Sequence, residues 1–420
     1  MLADVRRDSE EWEKFDYHAR HVQILRLSQT RLPVSPFVYD RLRQLRKDPL
    51  LPALRELRIP ARYVGDLRSS FMSLSPQLRL VELHSNSVEF FLSFIPTLVE
   101  EAPLLTHLIL HTQVDVDLDR VSDLNQLCKL DLQVPTWNLS KDFIRKLGEL
   151  ERLLDLRVEL NNELDNCWRN NKPTRHLLGN SLTNDGYQKL QTLLIRGSAI
   201  AIKRMMRAMS FASLSTLTLE FSTTDSWQGV FKTLVEKETH VTTVSLHSYS
   251  VKIECKFGWI SPLLQIPTLE TLEINTKSFS IDDDEFFSLM ASLPNLKTLS
   301  LPPSSRSTSL TAQVLWQPSK LAPVLAELKI PFFQSPAPPS GMMEIKISRR
   351  HAHLALRKLS ISSPYGDMQD GDVIHFARLL YRAFPNLEIV EGFGPNSHFE
   401  SWGRVDAFRN ALVMCSREDD

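Results

Sequence analysis

Histidine side chains are the residues whose spacing first suggests chemistry in this chain. His107 and His111 lie four residues apart, and His84 lies in an earlier segment of similar pattern. If these segments are strands, ~13 Å separates His107 from His111, which is too far for both to bind one metal ion. We therefore predict no metal site here, and we keep His84 and His111 as candidates for contact with a partner.

Two further clusters have a simpler structural interpretation. His351 and His353 form an HxH motif within a basic stretch, which favours a solvated basic surface over a metal or phosphate site. Residues 282–285 are all acidic and precede a helical stripe of apolar residues. Acids in this position fit the first turn of a helix, where they interact favourably with the helix dipole, better than they fit a calcium loop.

Sequence motifs of the common enzyme classes are missing from the chain. It contains no GxGxxG, no phosphate-binding loop, no GxSxG and no HExxH. Only 13 of the 420 residues are glycine, which leaves little material for close approach of the backbone to phosphate groups. We predict that the protein is not an enzyme and that it needs no cofactor.

The charge balance argues against nucleic acid or a membrane surface as the partner. Lys and Arg total 49 and Asp and Glu total 50, so the formal net charge is -1. The opening MLADVRRDSEEWEKF lacks the apolar segment of a signal peptide, and no apolar run reaches the ~18 residues of a membrane span. The 4 cysteines are far apart in sequence, which indicates free thiols in a reducing compartment. We expect a cytoplasmic or nuclear protein.

A repeated apolar pattern predicts the elements that position these side chains. An aliphatic residue is followed three and five positions later by two more, as in LTHLIL (105–110) and LKTLSL (296–301). Fourteen copies, the last incomplete, begin at positions from Val22 to Leu387, with a mean interval of about 28 residues, near the upper end of the leucine-rich-repeat period. Seven copies carry a proline two residues before the first aliphatic position, where proline ends a helix and starts an extended segment.

Each repeat is predicted to contain a helix followed by a short strand. Apolar residues at helical spacing lead into several of the prolines, for example Pro294 and Pro385. One such unit cannot bury both its strand and its helix, so the units must stack. We predict an α/β leucine-rich-repeat solenoid, with a curved parallel sheet on the concave face and helices on the convex face. The predicted organisation is a capping helix over 1–21, about 14 irregular repeats over 22–396, and a capping helix and tail over 397–420.

The two terminal helices are predicted to shield the ends of the sheet. Trp12, Phe15 and Ala19 share one face of the N-terminal helix. The corresponding face of the C-terminal helix consists of Trp402, Val405, Phe408 and Leu412. Between these ends we predict a single core to which the pattern contributes Leu25, Leu57, Leu108, Leu217, Leu272, Leu299 and Leu359.

The units SLPNLKTLSL and QIPTLETLEI resemble leucine-rich repeats, and the resemblance covers nearly the whole chain. The frequent PxLxxLxL entries and the opening EWEKFDYHARHVQILRLS resemble fungal F-box proteins with leucine-rich repeats. This resemblance implies that the repeats capture a protein substrate, and that an F-box docks the adaptor of a ubiquitin ligase. The sequence shows no LPxE helix start and no helical triplet before the first repeat, so we expect a ligase adaptor as partner only if an F-box exists upstream. The alternatives are a free-standing adaptor or inhibitor and, less favoured, a regulator of a small GTPase.

Residues two, four and six positions after the first aliphatic residue are predicted to point into the concave face, where we expect a protein partner to bind. Arg26 and Arg58 hold the second of these positions in the first two repeats, and His84 and His111 hold the third in two adjacent repeats. Five consecutive repeats carry threonine in the first position, namely Thr192, Thr216, Thr243, Thr271 and Thr298. A binding ridge and a row that only stabilises the sheet both fit this pattern. The other concave charges have both signs, unlike a nucleic-acid surface; they include Asp131, Asp155, Glu159, Lys329 and Lys358.

Two stretches depart from the repeat length and are predicted to form protruding loops. Residues 163–186 are rich in asparagine and lie within the longest interval, and residues 331–341 are rich in proline. Insertions in solenoids map to surface loops, so these segments are a second place where a partner could bind. A neutral insertion is an equally good interpretation.

Overall fold

The repeated apolar pattern coincides with strands along the chain. A computed structural model describes residues 10–27, 49–60, 71, 73–114, 116–135, 141–161, 186–223, 225–237, 239–248, 255–303, 310–311, 313–317, 320–331, 352–362, 368, 370–394 and 399–418. A short strand lies on each of the fourteen predicted copies of the pattern. The chain divides into unit 1, Met1–Gly197 with Arg204–Ser213, and unit 2, Ser198–Lys203 with Leu214–Asp420.

Unit 1 contains a parallel sheet in which each strand pairs with the strand of the next repeat. Its strands are β1 (Ile24–Arg26), β2 (Glu56–Ile59), β3 (Leu80–His84), β4 (His107–His111), β5 (Lys129–Pro135), β6 (Asp155–Asn161) and β7 (Thr192–Gly197). Its helices are α1 (Glu10–Ala19), α2 (Val88–Glu101) and α3 (Lys141–Gly148), with a 3-10 turn at Asp119–Asp123. A further helix, α4 (Ala199–Ala208), has residues in both units.

Unit 2 contains a second set of strands in the same arrangement. They are β8 (Thr216–Phe221), β9 (Thr243–Ser248), β11 (Thr271–Asn275), β13 (Thr298–Ser300), β14 (Glu327–Pro331), β15 (Lys358–Ser362) and β16 (Ile389–Gly392). A separate parallel pair consists of β10 (Cys255–Lys256) and β12 (Phe279–Ser280). The helices are α5 (Gln228–Glu236), α6 (Phe257–Ile260), α7 (Asp283–Ser292), α8 (Gln313–Trp316), α9 (Asp370–Ala383) and α10 (Phe399–Glu418), with a 3-10 turn at Ser261–Gln265.

Both units therefore have the predicted α/β architecture of a leucine-rich-repeat solenoid. Helices supply the apolar side chains that cover the inner face of each sheet, such as Phe91 and Phe94 of α2 in unit 1 and Phe376 of α9 in unit 2. The curvature of the sheet, a single core through the whole chain and the domain boundaries near residues 21 and 396 stay predictions.

A tight turn leads into most strands of the two sheets. The backbone N–H of the first aliphatic residue donates to the carbonyl oxygen three residues earlier, for example from Leu54 to Leu51 and from Leu387 to Phe384, both at 3.0 Å. The repeated prolines, such as Pro52, occupy the second position of this turn, where their fixed φ is favourable. The prolines therefore set the turn that directs the chain into the strand, in addition to ending the preceding helix.

Strand side chains alternate between the core and the open side of each sheet. In β3, Val81 and Leu83 are buried, while Leu80, Glu82 and His84 are partly exposed. This alternation is expected of a strand that has one face in the core and the other toward solvent. It defines, in each unit, an open face made of the side chains that point away from the helices.

Six of the seven predicted core leucines are buried as expected, namely Leu57, Leu108, Leu217, Leu272, Leu299 and Leu359. The prediction for Leu25 was wrong, because this side chain is only half-buried. Leu25 lies on β1, which among the described residues pairs with β2 alone. On this strand the core position is therefore less well covered than the core leucines of the inner strands.

The N-terminal helix agrees with its prediction in part. Ala19 is buried and Trp12 is half-buried, but Phe15 is 38% exposed. The rings of Trp12 and Phe15 meet edge to face with their centroids 5.8 Å apart. Phe15 is thus more exposed than the other two residues of this face, and the prediction that α1 shields the end of the sheet stays a prediction.

The C-terminal helix buries a charged residue, Arg409, that the prediction did not place on its inner face. Trp402 and Val405 are buried as expected, but Phe408 is 39% exposed and Arg409 only 2% exposed. The reason is helical spacing: Val405 and Arg409 follow Trp402 by three and seven residues and share its face, whereas Phe408 follows by six.

Arg409 and Asp406 close the exposed edge of β16. The Asp406 carboxylate accepts a hydrogen bond from the backbone N–H of Val390 at 3.1 Å. Arg409 donates to the carbonyl oxygen of Leu387, to that of Glu388 at 3.0 Å, and to Asp406 at 3.1 Å. An edge strand otherwise presents unpaired backbone groups that can pair with another chain. This pair of charges therefore supplies the hydrogen-bonding partners that the last strand lacks.

The acidic cluster at 282–285 begins a helix, as predicted. The Asp282 carboxylate accepts from the backbone N–H of Glu285 at 2.8 Å, and the Glu285 carboxylate accepts from the backbone N–H of Asp282 at 3.2 Å. This reciprocal arrangement is a capping box that starts α7. Asp283 accepts from both the backbone N–H and the hydroxyl of Thr311. This acid therefore links the start of α7 to the segment that contains Thr311.

Gly148 and Tyr187 form a close backbone contact within unit 1. Tyr187 is buried with a φ of 60°, and its hydroxyl donates to the carbonyl oxygen of Ile144 at 2.5 Å. Its backbone N–H donates to the carbonyl oxygen of Gly148 at 2.8 Å. A Cβ on Gly148 would lie 2.9 Å from the Tyr187 ring and 3.2 Å from the Cα of Gly186. The close approach therefore requires glycine at position 148.

We predict that Gly148→Ala lowers the free energy of unfolding by about 1–3 kcal/mol, because the added methyl group overpacks a buried contact. Urea denaturation followed by circular dichroism measures this change. Gly403→Ala is the matched control, since a Cβ there meets no atom within 4 Å in the helix α10, and we expect it to be neutral or stabilising by up to about 1 kcal/mol. Equal unfolding midpoints for Gly148→Ala and the wild type would contradict the prediction.

Candidate interaction surface

The open face of unit 1 consists of three rows of side chains that cross the strands in register. The first row is Ile24, Glu56, Leu80, His107, Lys129, Asp155 and Thr192. The second row is Arg26, Arg58, Glu82, Ile109, Asp131, Arg157 and Leu194. The third row is His84, His111, Gln133, Glu159 and Arg196. The register thus places the predicted residues of unit 1 on one face.

His84 and His111 are neighbours, as the sequence predicts. They are register partners on β3 and β4, and their rings meet edge to face with the centroids 4.2 Å apart. His84 Nε2 lies 3.1 Å from Glu82 Oε1, and His111 Nε2 lies 3.9 Å from Asp131 Oδ1. Each ring therefore has a carboxylate of the second row beside it.

Arg58 is linked to this histidine pair through ion pairs with Glu82, a residue that the sequence did not indicate as part of a site. Its guanidinium lies 3.1 Å from a carboxylate oxygen of Glu56 and 3.6 Å from one of Glu82. Glu82 also contacts His84, so Arg58, Glu82, His84, His111 and Asp131 form one continuous polar chain across four strands. Arg26 is the register partner of Arg58 and is exposed at the edge of the sheet.

Ion pairs also cover the other end of this face. Lys129 Nζ lies 2.9 Å from Asp155 Oδ2, and Arg157 Nε lies 3.6 Å from Asp155 Oδ1. Arg196 lies 3.5 Å from Glu159. Asp155 and Glu159 therefore lie on the open face and are paired with cations of the same face, and Asp131 lies on it beside His111.

The open face of unit 2 presents hydroxyl groups in place of most of these charges. Four of the five predicted threonines, Thr216, Thr243, Thr271 and Thr298, are register partners on consecutive strands. They are half-buried, and within the described part of unit 2 their hydroxyls form no hydrogen bond. Next to them run Thr218, Ser245, Glu273 and Ser300. The fifth threonine, Thr192, belongs to the open face of unit 1.

Lys329 and Lys358 lie at the other end of the open face of unit 2, and each has a local partner. Lys358 Nζ lies 2.9 Å from Glu391 Oε1, and this hydrogen bond is the main reason why the pKa of Glu391 is lowered. Lys329 Nζ lies 4.4 Å from the centre of the Phe393 ring. This cation–π contact and this ion pair tie the last strands together.

His353 contradicts the interpretation of the HxH motif as a solvated basic surface. Its side chain is 5% exposed, Nε2 donates to the carbonyl oxygen of Ala322 at 2.7 Å, and Nδ1 accepts from the backbone N–H of Leu356 at 3.2 Å. Both ring nitrogens are therefore occupied by backbone groups of two successive repeats. His351 lies outside the described residues.

The described residues contain no group of three or more His, Cys, Asp or Glu side chains that could hold a metal ion. In the same part of the chain, no helix combines the length and the apolar character that crossing a membrane requires. The two predicted loops, 163–186 and 331–341, lie almost entirely outside the described residues, so their role as partner sites stays a prediction.

Comparison with known proteins assigns no family to this chain. No protein-family model matches the sequence, and no curated protein matches it. Among solved structures, the chain is similar to an internalin from Listeria monocytogenes, with 15% identity, a TM-score of 0.41 and 81% of each chain covered. The resemblance to F-box proteins therefore remains a hypothesis, while the leucine-rich-repeat architecture follows from the strands and their register.

We predict that replacing Thr216, Thr243, Thr271 and Thr298 together by valine changes the free energy of unfolding by no more than about 1 kcal/mol. Valine keeps the branched Cβ that strands favour, and no hydroxyl hydrogen bond is lost. Urea denaturation is the measurement, with the single variant Thr243→Val as control. A large loss of stability would show that the threonine row supports the sheet, and its hydroxyls would then be poor candidates for binding.

We also predict that the stability of unit 2 falls as the pH drops below about 6.5, the usual pKa of histidine. Burial lowers the pKa of His353, although its hydrogen bond to Ala322 partly opposes this. Below that pH the unfolded chain binds a proton that the folded state resists, so protonation favours unfolding. Urea midpoints of wild type and His353→Gln, compared between about pH 7.5 and about pH 5.5, should show a weaker pH dependence in the variant. His107→Gln, at an exposed position of the open face, should keep the wild-type dependence; equal slopes in all three proteins would contradict the prediction.

Proposed function

We propose that this chain is a non-enzymatic, protein-binding scaffold whose open sheet faces contact the partner. The observation that carries this proposal is the open face of unit 1. There, partly exposed Leu80 and Ile109 lie among histidines and ion-paired charges. An apolar centre within a polar surround is typical of surfaces that bind proteins.

The charges of this face favour a protein over nucleic acid. Five cations, Arg26, Arg58, Lys129, Arg157 and Arg196, share the three rows with five acids, Glu56, Glu82, Asp131, Asp155 and Glu159. A surface that binds phosphates needs an excess of positive charge. Alternating charges instead give specificity for one complementary protein surface, because a partner in the wrong register brings like charges together.

The resemblance to fungal F-box proteins supports a finer proposal, in which the chain is the substrate-recognition arm of a ubiquitin ligase receptor. On that reading the scaffold holds a protein destined for degradation, and a ligase adaptor binds only where an F-box is present. A free-standing adaptor or inhibitor uses the same open faces and differs only in what happens to the bound protein. A regulator of a small GTPase is a weaker alternative for the same fold.

Two pairs of arginine substitutions test the scaffold proposal. Arg58→Ala with Arg157→Ala removes two cations of the open face, and Arg120→Ala with Arg152→Ala removes two exposed cations outside it. We expect proteins captured from the native cell and identified by mass spectrometry to be lost with the first pair and kept with the second. Recovery of the same proteins by both variants would exclude the open face of unit 1 as the binding surface.

The ligase proposal makes a separate prediction about the captured protein. If residues 1–420 hold a substrate without binding the adaptor, overproducing them slows the degradation of that substrate, because they compete with the complete receptor. A translation-chase measurement of its half-life tests this, and purified adaptor should not form a stable complex with residues 1–420. An unchanged half-life would contradict the ligase role and leave the scaffold proposal standing.

A further inference from the structure

Ile109 occupies the centre of the open face of unit 1. In the second row it lies between Glu82 on β3 and Asp131 on β5, and along its own strand it lies between His107 and His111. Its side chain is half-buried and points away from the core. An aliphatic side chain is thus available to a partner, with a carboxylate on either side of it.

The two carboxylates beside Ile109 differ in how well they are paired. Glu82 contacts both Arg58 at 3.6 Å and His84 at 3.1 Å. Asp131, as far as the described residues show, forms no hydrogen bond and one ion pair, the 3.9 Å contact with His111. Its side chain keeps 26% of its surface accessible. Asp131 is therefore one of two acids of this face, with Glu159, that accept no hydrogen bond among the described residues, and its single ion contact is the longer of the two.

The two cations nearest to Asp131 in the sheet contact another carboxylate, that of Asp155. Arg157 is its register partner on β6, yet the Arg157 guanidinium lies 3.6 Å from Asp155. Lys129, two residues before Asp131 on the same strand, is 2.9 Å from Asp155. Both cations thus converge on Asp155 and leave Asp131 without a close counter-charge.

We propose that Ile109 and Asp131 form a docking site for an arginine side chain of the protein partner. The inference rests on the proposed function, that the open face binds a protein. The aliphatic stem of the arginine packs across Ile109, and its guanidinium donates to the Asp131 carboxylate. Arginine fits better than lysine because its planar fork matches both oxygens of a carboxylate while its stem covers apolar surface. The negative charge of Glu82, on the other side of Ile109, adds to the attraction for a cation.

Selection from a random-peptide display library tests this site without knowledge of the natural partner. Wild-type protein, Asp131→Asn and the control Glu100→Gln, which neutralises an exposed acid on α2, are each used as bait. We expect the peptides selected by wild type and by Glu100→Gln to share an arginine, and those selected by Asp131→Asn to lack this preference. Asp131→Asn should unfold at the wild-type temperature, because one long ion pair is all that it loses.

A selected peptide and its citrulline analogue then separate the charge from the shape of the side chain. Citrulline keeps the stem and the planar head but carries no charge. We expect wild type to bind the citrulline peptide about tenfold more weakly, and Asp131→Asn to bind both peptides about equally, as a charge-assisted hydrogen bond implies. Ile109→Thr should weaken binding of both peptides alike, because it shortens the apolar contact.

The two proposals fail in different ways. Peptides whose binding depends on Arg58 and Arg157 but not on an arginine of their own would overturn the arginine site and leave the open face as the binding surface. Equal binding of the arginine and citrulline peptides to wild type would likewise overturn the arginine site and leave the open face as the binding surface. Peptides that bind Asp131→Asn, Ile109→Thr and Arg58→Ala with Arg157→Ala all as tightly as wild type would overturn the proposed function, and the arginine site with it, because no side chain of the open face would then contribute.

Discussion

The parallel register between neighbouring repeats is the constraint on which the rest of each unit depends. In unit 1, the backbone N–H groups of Arg79 and Leu80 both donate to the carbonyl oxygen of Arg55, and those of Thr106 and His107 both donate to that of Arg79. This bonding fixes each strand against the one before it, so equivalent positions of successive repeats form rows. One set of rows becomes the core, and the alternate set becomes the open face. A slip of one residue would exchange the two, which the buried leucines forbid.

The ends of such a stack pose a different problem, because a terminal strand has no further repeat to pair with. Leu25 shows the consequence at β1, where a core position of the pattern is only half-buried. At β16, the side chains of Asp406 and Arg409 form hydrogen bonds with the backbone at the edge where a further strand would otherwise pair. Charged groups can be buried there because backbone groups and a carboxylate satisfy most of their hydrogen bonds.

The sequence predicts contacts between equivalent positions of successive repeats, and it does not predict contacts between positions that the pattern leaves unrelated. The strands, the row of threonines and the contact of His84 with His111 all follow from counting positions along the pattern. The burial of His353 does not, because it depends on the carbonyl oxygen of Ala322 in the preceding repeat meeting a ring nitrogen. The basic residues around the HxH motif suggested that its histidines are exposed to solvent. Local composition does not show whether a single ring points to solvent or into the core. Ile109 follows the first aliphatic residue of its repeat, Leu105, by four positions, so the pattern alone places it on the open face.

Stability alone does not account for the residues of the open faces. Ion pairs between partly exposed side chains contribute about 0–1 kcal/mol each, and the threonine hydroxyls of unit 2 make no hydrogen bonds among the described residues. The two units have the same repeat and the same register, yet one face carries paired charges and histidines and the other carries mainly hydroxyl groups. Because the backbone is equivalent at these positions, the architecture does not dictate this difference. The core rows set the fold, so the side chains of the open faces are free to differ, as the proposed contact with a protein partner requires.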